Sequence, residues 1–247
     1  MSVRTPVIAV FDIGKTNKKV FLWDTSFQIV FEKQQYFAET LDEDGFACED
    51  LATLQQWIVS TFTELCQLAE FEIIGLNFSA YGASFVYVDR TGEPVAPLYN
   101  YLKPATVPFP YADFGGESEF ARKTASPILG NLNSGLQVYA AQFKAFWPEV
   151  HQALHFPNYL ASLFTGKFFS EITSIGCHTA LWDFDLGQYH PWVSAIEDRL
   201  APISEVAFDK IDGIHYGMGL HDSSAALVPY LRSISEEFVL LSTGTWC

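Results

Sequence analysis

The chain has 247 residues, a length that suits one large domain or two small ones. Hydrophobic residues make up 49% and charged residues 17%, which excludes a disordered or low-complexity protein. Against 14 Lys+Arg stand 29 Asp+Glu, and a net charge of −15 repels phosphodiester backbones, so nucleic-acid binding is not expected.

The first predicted elements are strands. Residues 7–11 form a continuous apolar run typical of a buried strand, Asp12–Asn17 interrupt it with turn residues, and residues 20–23 resume it. This pattern predicts a hairpin, and residues 27–37 predict a third strand. From Asp50 to Glu70 the apolar residues recur every three or four positions, the stripe of an amphipathic helix.

The middle of the chain alternates between strand and helix patterns. Short strands are predicted at residues 73–78 and 85–88, a loop at 103–118, and helices at 133–147 and 158–165, the second ending at Gly166. One further helical face is predicted from Trp192, Ile196 and Leu200. Such an order of strands and helices predicts an α/β fold.

The C-terminal region repeats the pattern of the N-terminus. A helix is predicted to begin at Asp222 or Ser223, and Pro229 would kink it unless it is short. An apolar strand predicted at residues 238–241 then enters a polar, glycine-containing turn at 242–245, as the first strand does. A strand without its partner exposes backbone groups, so we expect the first half of a duplicated architecture plus the opening strand of the second half.

The first turn combines residue types that suit an anion. Gly14 lets backbone N–H groups approach a phosphate, and Asp12 can hold a divalent cation. The polar and basic side chains that follow are Lys15, Thr16, Asn17, Lys18 and Lys19. These residues predict either a phosphate cradle with a metal anchor or a solvated hairpin tip, and their spacing alone leaves both interpretations open.

A second candidate site centres on Asp222. An Asp before an apolar helical run is typically an N-cap, but a carboxylate there could also act as a general base toward a hydroxyl. His221 alone suggests a semi-buried histidine, and the adjacent Cys177 and His178 suggest core or cleft residues. The sequence contains no P-loop, no GxGxxG, no HExxH and no GxSxG motif.

Taken in order, these segments resemble a known family. Residues 11–19 resemble the first phosphate motif of the sugar-kinase, actin and heat-shock ATPase superfamily, and within it the chain resembles the FGGY carbohydrate kinases. The segments that match further along the chain lie at 92–103, 156–166, 171–183, 219–226 and 241–246. The resemblance covers essentially the whole chain.

The resemblance implies a ribonuclease H-like α/β fold, with a mixed five-stranded sheet flanked by helices. It implies an N-terminal sugar-binding domain at residues 1–236, and at 237–247 the first strand and phosphate turn of a C-terminal ATP-binding domain. It also implies transfer of the γ-phosphate of ATP to a sugar hydroxyl with Mg²⁺. The implied partners are a small sugar and ATP, and a homodimer is compatible with them.

The resemblance also assigns roles to residues. Asp12 would help bind magnesium, and Asp222 would be the base that takes the hydroxyl proton. The residues implied to bind the nucleotide are Asp12, Gly14, Lys15, Thr16, Asn17, Lys19, Ser242, Thr243, Gly244 and Thr245. The residues implied to bind the sugar are Tyr81, Gly82, Ala83, Ser84, Tyr99, Tyr101, Lys103, His221 and Asp222.

The substrate is less defined. Residues 79–85 and 221–224 look most like rhamnulose kinases and related deoxy-ketose kinases, but Ser84 and Tyr101 stand where the family carries carboxylates. Two hydroxyl acceptors are thereby lost, while Tyr81, Tyr99 and Tyr101 could stack on an apolar sugar face. The departures keep a second hypothesis open, a sugar-binding or regulatory module with weak catalysis.

The remaining features concern location. No apolar run reaches the roughly 18 residues of a membrane span, and residues 1–6 lack the pattern of a secretory signal. The four cysteines form no CxxC pair and predict free thiols with no zinc site. We therefore expect a cytoplasmic protein without a membrane partner.

Overall fold

The computed structural model of the chain describes residues 4–204, 206 and 208–241. Within them the strands are β1 (Thr5–Ile13), β2 (Lys18–Asp24), β3 (Ile29–Gln35), β4 (Thr40–Leu41), β5 (Ala47–Cys48), β6 (Phe71–Ala80), β7 (Phe85–Val88), β8 (Gln152–His155), β9 (Trp182–Asp183), β10 (Gln188–Tyr189), β11 (Phe208–Ile211), β12 (Ile214–Gly217) and β13 (Leu220–His221). The α-helices are α1 (Leu51–Cys66), α2 (Glu117–Thr124), α3 (Ser134–Ala141), α4 (Phe156–Thr165), α5 (Ile172–Ile175) and α6 (Asp222–Ser233). Short 3₁₀ helices lie at Tyr111–Phe114, Gly130–Leu132, Trp147–Glu149, Pro191–Ala195 and Glu197–Arg199. The predicted α/β order is confirmed.

The N-terminal strands form an antiparallel meander. β1 pairs with β2 from Val7↔Asp24 to Ile13↔Lys18, and β2 pairs with β3. The alternate β1 residues Val7, Ala9, Phe11 and Ile13 are all 0% exposed. One face of β1 is therefore core, which confirms the predicted hairpin and third strand.

The central sheet is mixed and has seven strands, in the order β11-β12-β6-β1-β2-β3, with β13 also paired to β6. β6 lies parallel to β1. β12 and β13 both run parallel to β6, and β13 pairs nearer to its C-terminal end. The expected mixed sheet flanked by helices is confirmed; it has more strands than the five expected because two short strands share one flank of β6 and β11 extends that edge.

Helix α1 confirms the predicted amphipathic helix. Asp50 caps its N-terminus, since Oδ1 accepts a hydrogen bond of 3.0 Å from the Thr53 N–H. The buried residues of α1 are Leu51, Leu54, Ile58, Thr61, Phe62 and Leu65. The apolar residues among them pack with β1, β6 and α4 in one cluster. A second cluster, rich in aromatic rings, joins β7, β8, α2 and α3 beside the sheet.

Two helix predictions are only partly correct. The helix expected to reach residue 147 ends at Ala141, and residues 142–146 form turns and a bend before the 3₁₀ helix Trp147–Glu149. The predicted helical face of Trp192, Ile196 and Leu200 is not α-helical: Trp192 lies in the 3₁₀ helix Pro191–Ala195, and Ile196 and Leu200 flank the 3₁₀ helix Glu197–Arg199. All three residues are nevertheless buried, so the apolar spacing correctly predicts that they belong to the core but does not predict the type of helix.

The C-terminal elements also differ from expectation. Helix α6 continues through Pro229, and none of its residues is buried, so the carbonyl that the proline leaves unpaired can face water. Residues 234–241 form neither helix nor strand, so the strand expected at 238–241 is not formed in the described part of the chain. A strand needs a neighbour for its hydrogen bonds, and the side chains of Val239 and Leu241 are 87% and 82% exposed.

Candidate active site

The turn between β1 and β2 is a tight four-residue connection. The Gly14 N–H donates a hydrogen bond of 2.9 Å to the Asn17 carbonyl, which closes the turn. A Cβ atom at Gly14 would lie 3.2 Å from that same oxygen, a close approach that glycine makes easy. Thr16 and Asn17 are exposed at the tip. The turn therefore presents polar groups to solvent beside the carboxyl end of β1.

Lys15 in this turn, and Lys18 and Lys19 at the start of β2, each lie against a glutamate. The nitrogen–oxygen distances are 2.6 Å for Lys15–Glu39, 2.9 Å for Lys18–Glu49 and 3.1 Å for Lys19–Glu32. The local positive charge expected from the sequence is thus balanced across the fold. The side chains of Lys15 and Lys19 remain 24% and 31% exposed, and exposed pairs of this kind are weak, whereas Lys18 is buried and contributes no free charge.

Asp12 and Asp222 face one cleft of about 470 Å³ at the carboxyl ends of β1 and β6. Its other walls are Val10, Phe21, Trp23, Ser79, Ser223 and Ala226. Burial raises the pKa of Asp12 above its ordinary value, and the negative charge of Asp222 adds to the rise while Lys19 opposes it. Two carboxylates from distant parts of the chain therefore share this space.

A second cleft of about 460 Å³ adjoins the first. It is lined by Tyr81, Gly82, Ala83, Tyr101, Leu129, Leu132, Cys177, His178, His221, Asp222 and Ser223. Tyr81 and Tyr101 meet edge to face, with ring centroids 6.2 Å apart. This sugar-sized space combines aromatic faces with polar groups, and we call it the aromatic cleft. Asp222 and Ser223 line both clefts.

Asp222 is the first residue of α6. Its Oδ1 accepts hydrogen bonds of 2.6 Å from the Ser223 N–H and 3.2 Å from the Ser223 hydroxyl. The carboxylate thus bonds to the next residue, and not two or three residues along as an N-cap side chain would. Its side chain is 37% exposed at the positive end of the helix, where a negative charge is favoured.

Two residues expected to bind the sugar are engaged elsewhere. Lys103 Nζ lies 2.5 Å from Asp42 Oδ2 and 2.7 Å from Asp44 Oδ2, in the turn between β4 and β5. Burial would lower the pKa of Lys103, but its hydrogen bonds to these carboxylates outweigh that effect and raise it. The Tyr99 hydroxyl donates to Glu43 at 2.7 Å. Tyr99 and Lys103 line a separate cavity of about 50 Å³ and not the aromatic cleft.

Ser84 is placed differently from the other residues of its segment. It is 2% exposed, and its hydroxyl has no hydrogen-bond partner among the described residues. It does not line the aromatic cleft, whereas Tyr81, Gly82 and Ala83 do. Of the sugar-binding set predicted from the sequence, the structure therefore gathers Tyr81, Gly82, Ala83, Tyr101, His221 and Asp222 around one space.

Comparisons with known proteins fit this arrangement. No family model matches the chain. A rhamnulokinase of Mannheimia succiniciproducens is 24% identical over 258 residues, covering 97% of this chain and 52% of that protein. A carbohydrate kinase from Novosphingobium aromaticivorans is 25% identical with a TM-score of 0.77, covering 92% of this chain and 51% of that one. The chain is similar to the FGGY-type carbohydrate kinases in sequence and in fold.

The fold of these kinases recurs at lower identity. A ligand-bound xylulose kinase from Lactobacillus acidophilus has a TM-score of 0.77 at 14% identity, covering 90% of this chain and 49% of that one. The chain thus spans about half the length of the carbohydrate kinases it matches. The implied ribonuclease H-like architecture of an actin-like ATPase is confirmed.

Asp12, the residue implied to hold magnesium, has chemistry that suits a divalent cation. Carboxylate oxygens are the ligands Mg²⁺ prefers. Burial, and then the negative charge of Asp222, raise the pKa of Asp12 because both disfavour its charged form, and a bound cation would favour that form again. Asp12 is the residue that could hold it in this kinase-like site. Within the residues described, no group of three or more His, Cys, Asp or Glu side chains is placed to hold a metal by itself.

Some predicted site residues lie outside the described part of the chain, and some residues that line the aromatic cleft were not predicted to bind substrate. The second phosphate turn, Ser242, Thr243, Gly244 and Thr245, lies outside the described residues. His178, Cys177 and Ser223 line the aromatic cleft without having been predicted to bind substrate. His178 has a positive φ of 44°, a backbone conformation that no local sequence pattern predicts.

Among the helices of the described residues, none has the length and apolar composition of a membrane-spanning segment.

Proposed function

We propose that this chain phosphorylates a sugar hydroxyl with ATP and Mg²⁺, as part of a carbohydrate kinase. The observation that supports it most strongly is that Asp222 lies on the boundary of two clefts. One of them contains Asp12, which lies two residues before Gly14 in the chain; the other is the aromatic cleft. A phosphoryl-transfer site needs this adjacency, since the acceptor hydroxyl and the phosphate must meet at one point.

Asp222 is the proposed general base. Its carboxylate is partly exposed at the first residue of α6, so it can accept the proton of a hydroxyl bound in the aromatic cleft. Asp12 is the proposed magnesium holder, and the ion would neutralise charge on the phosphate oxygens. A general base typically adds about 10²–10⁴-fold to a rate, so positioning and charge stabilisation would carry the rest.

The nucleotide phosphates are proposed to lie along the turn after β1. Gly14, Lys15, Thr16, Asn17 and Lys19 would contact them. Lys15 and Lys19 would do so by exchanging an exposed glutamate partner for a phosphate oxygen. The second phosphate turn is proposed at Ser242, Thr243, Gly244 and Thr245. In this proposal residues 1–236 form the sugar-binding domain, and residues 237–247 open an ATP-binding domain.

A ketose or deoxy-ketose is the proposed substrate class. The support is the likeness to a rhamnulokinase and the paired rings of Tyr81 and Tyr101, which suit an apolar sugar face. His178 and His221 supply polar groups in the same cleft. Ser84 is buried away from this cleft, so the lost carboxylate at that position is not replaced by a serine contact to the sugar.

A substrate panel tests the proposed function. The full-length protein is assayed with Mg-ATP against ketoses, deoxy-ketoses, aldoses and polyols, and binding of the same sugars is measured by calorimetry. Turnover on at least one sugar is the expected result. Sugar binding without ATP consumption would instead support a sugar-binding or regulatory module, and a folded protein that neither binds nor phosphorylates any of them would refute both.

A further inference from the structure

The His221 ring connects Asp222 to the body of the protein. Its Nε2 lies 3.4 Å from Asp222 Oδ1, and its Nδ1 lies 3.2 Å from the Ser224 hydroxyl. The His221 N–H donates to the Thr173 hydroxyl at 3.2 Å, which ties the backbone to α5. His221 is 5% exposed, so the ring is held on several sides before any substrate binds.

Gly82 provides the space for this ring. A Cβ atom at Gly82 would lie 2.6 Å from His221 Nε2, closer than side chains tolerate. Gly82 has no positive φ, so backbone freedom does not explain a glycine there. The requirement is steric: the absence of a side chain lets the imidazole lie beside the carboxylate.

The Asp222 carboxylate beside Nε2 selects one form of the ring. The contact at Nδ1 does not decide between the forms, because the Ser224 hydroxyl, 3.2 Å from Nδ1 and 3.3 Å from the Thr173 carbonyl, can donate to Nδ1 or accept from it. If Nδ1 carried the ring proton, the lone pair of Nε2 would face the Asp222 carboxylate, which is repulsive. A proton on Nε2 instead gives the carboxylate a donor, and hydrogen bonds to charged acceptors are the stronger ones.

We propose that His221 is a positioning residue that donates through Nε2–H to Asp222 Oδ1 and so leaves Oδ2 to accept the substrate proton. The two hydrogen bonds from Ser223 and the 3.4 Å approach of His221 all involve Asp222 Oδ1. The distance of 3.4 Å is long for a hydrogen bond, and contacts in catalytic sites commonly tighten when substrate binds.

The other titratable groups around His221 are His178, Glu171 and His155. His178 meets the ring at 6.3 Å between centroids, and the Glu171 carboxylate accepts from two N–H groups of α5. Burial lowers the pKa of His221 while Asp222 opposes that effect; His178 lowers it further and Glu171 raises it. His155 is buried nearby, and the two histidines oppose each other's protonation.

The first test reads the ring proton directly and does not depend on catalysis. The 247-residue chain is labelled with ¹⁵N-histidine, and long-range ¹H–¹⁵N spectra are recorded with and without His221→Gln to assign the signal. A neutral ring protonated at Nε2 is expected, and Ser224→Ala should change its nitrogen shifts. A ring protonated at Nδ1 overturns the proposal.

The second test rests on the proposed function and separates positioning from sugar contact. A glutamine amide can replace Nε2–H, whereas an asparagine amide reaches only the Nδ1 position. His221→Asn is therefore expected to lower kcat at least about tenfold, and His221→Gln to restore most of it, with KM little changed. Equal losses for both variants, or a loss confined to KM, overturn the proposal.

Gly82→Ala provides an independent variant that displaces the His221 ring without replacing the histidine. It is expected to lower kcat as His221→Asn does and to shift the His221 nitrogen signals. Gly75→Ala is the matched control, because its Cβ would make only ordinary contacts at 3.5 Å. A folded Gly82→Ala protein with unchanged kcat and unchanged signals refutes the proposal. Inactivity of the parent protein would count against the kinase assignment alone, because the ¹⁵N spectra still decide the ring proton.

Discussion

Lys18 and Glu49 form a buried ion pair between the first turn and the entrance to α1. Lys18 Nζ lies 2.9 Å from Glu49 Oε2, with the two side chains 3% and 4% exposed. Lys18 also donates to the Lys15 carbonyl at 3.0 Å, and the Tyr81 hydroxyl donates to the same glutamate oxygen at 3.4 Å. One buried network thus connects the proposed phosphate turn with a wall of the aromatic cleft.

Removing one partner of this pair is expected to destabilise the fold strongly. Lys18→Met or Glu49→Leu leaves an uncompensated buried charge, and such changes cost about 3–5 kcal/mol. The double variant should lose less than the sum, since it leaves no charge unpaired. Urea denaturation measures the free energies of unfolding. Lys33→Met is the control, because the Lys33–Glu64 pair is 36% and 63% exposed and should matter by less than about 1 kcal/mol. Full additivity would contradict this interpretation.

Asp222→Asn is expected to lower kcat by about 10²–10⁴-fold, because an amide cannot accept the hydroxyl proton. Sugar affinity should change little, since the amide keeps the size of the side chain. Steady-state kinetics and calorimetry measure the two quantities. Asp198→Asn is the matched control, with a side chain that is 75% exposed. An unchanged kcat would remove Asp222 as the base.

Asp12 is expected to titrate above its ordinary pKa of 3.8, because of its burial and the neighbouring charge of Asp222. Asp12 then holds its proton to a higher pH in the folded protein than in the unfolded chain. Its contribution to the free energy of unfolding therefore falls as pH rises above 3.8, and stops changing once Asp12 is ionised in the folded protein as well. Asp12→Asn should therefore raise Tm at pH 7 relative to the parent. Carboxyl ¹³C NMR should show the Asp12 pKa falling in Asp222→Asn and on addition of Mg²⁺; insensitivity to both would argue against a shared cation site.

His155 is expected to make the protein sensitive to acid. Burial, with a smaller effect of His221, lowers the pKa of His155 from 6.5 to about 3. The unfolded chain therefore binds more protons between these values, so the free energy of unfolding falls as pH drops from 6.5 towards 3. His155→Gln should flatten the dependence of Tm on pH in that window. An identical slope in the variant would show that other groups cause the acid sensitivity.

The elements that could be predicted from the sequence are those with a strong local pattern. The β1–β2 hairpin has a continuous apolar run and a glycine turn, and α1 has a stripe of period 3.6 with a capping Asp50. The apolar spacing after His190 predicts a helical face but does not distinguish an α-helix from the 3₁₀ segments observed, because both helix types bury residues at similar spacing. The apolar run at residues 238–241 and the family resemblance both predict a strand there, but neither supplies a hydrogen-bonding neighbour within the described residues.

Some residues of the candidate site can be identified from local sequence features, whereas others are identified only by the tertiary structure. Asp12, Gly14 and Asp222 could be singled out because turn chemistry and the start of a helix are local features. The pairing of Lys103 with Asp42, and of Tyr99 with Glu43, joins segments far apart in the chain. The same holds for His178, which enters the aromatic cleft from a segment with no substrate-binding pattern. Contacts of this kind depend on how elements pack and cannot be read from spacing.

By itself the sequence determined the acidic charge, the apolar periodicities and the chemical types around each turn, because these depend on residues that are neighbours in the chain. Only the tertiary structure decided that the turn lysines are balanced by Glu32, Glu39 and Glu49, and that Asp222 faces Asp12 across one cleft. The physical reason is that electrostatic partners and cleft walls are set by strand register and helix packing, which bring together groups that the sequence keeps apart.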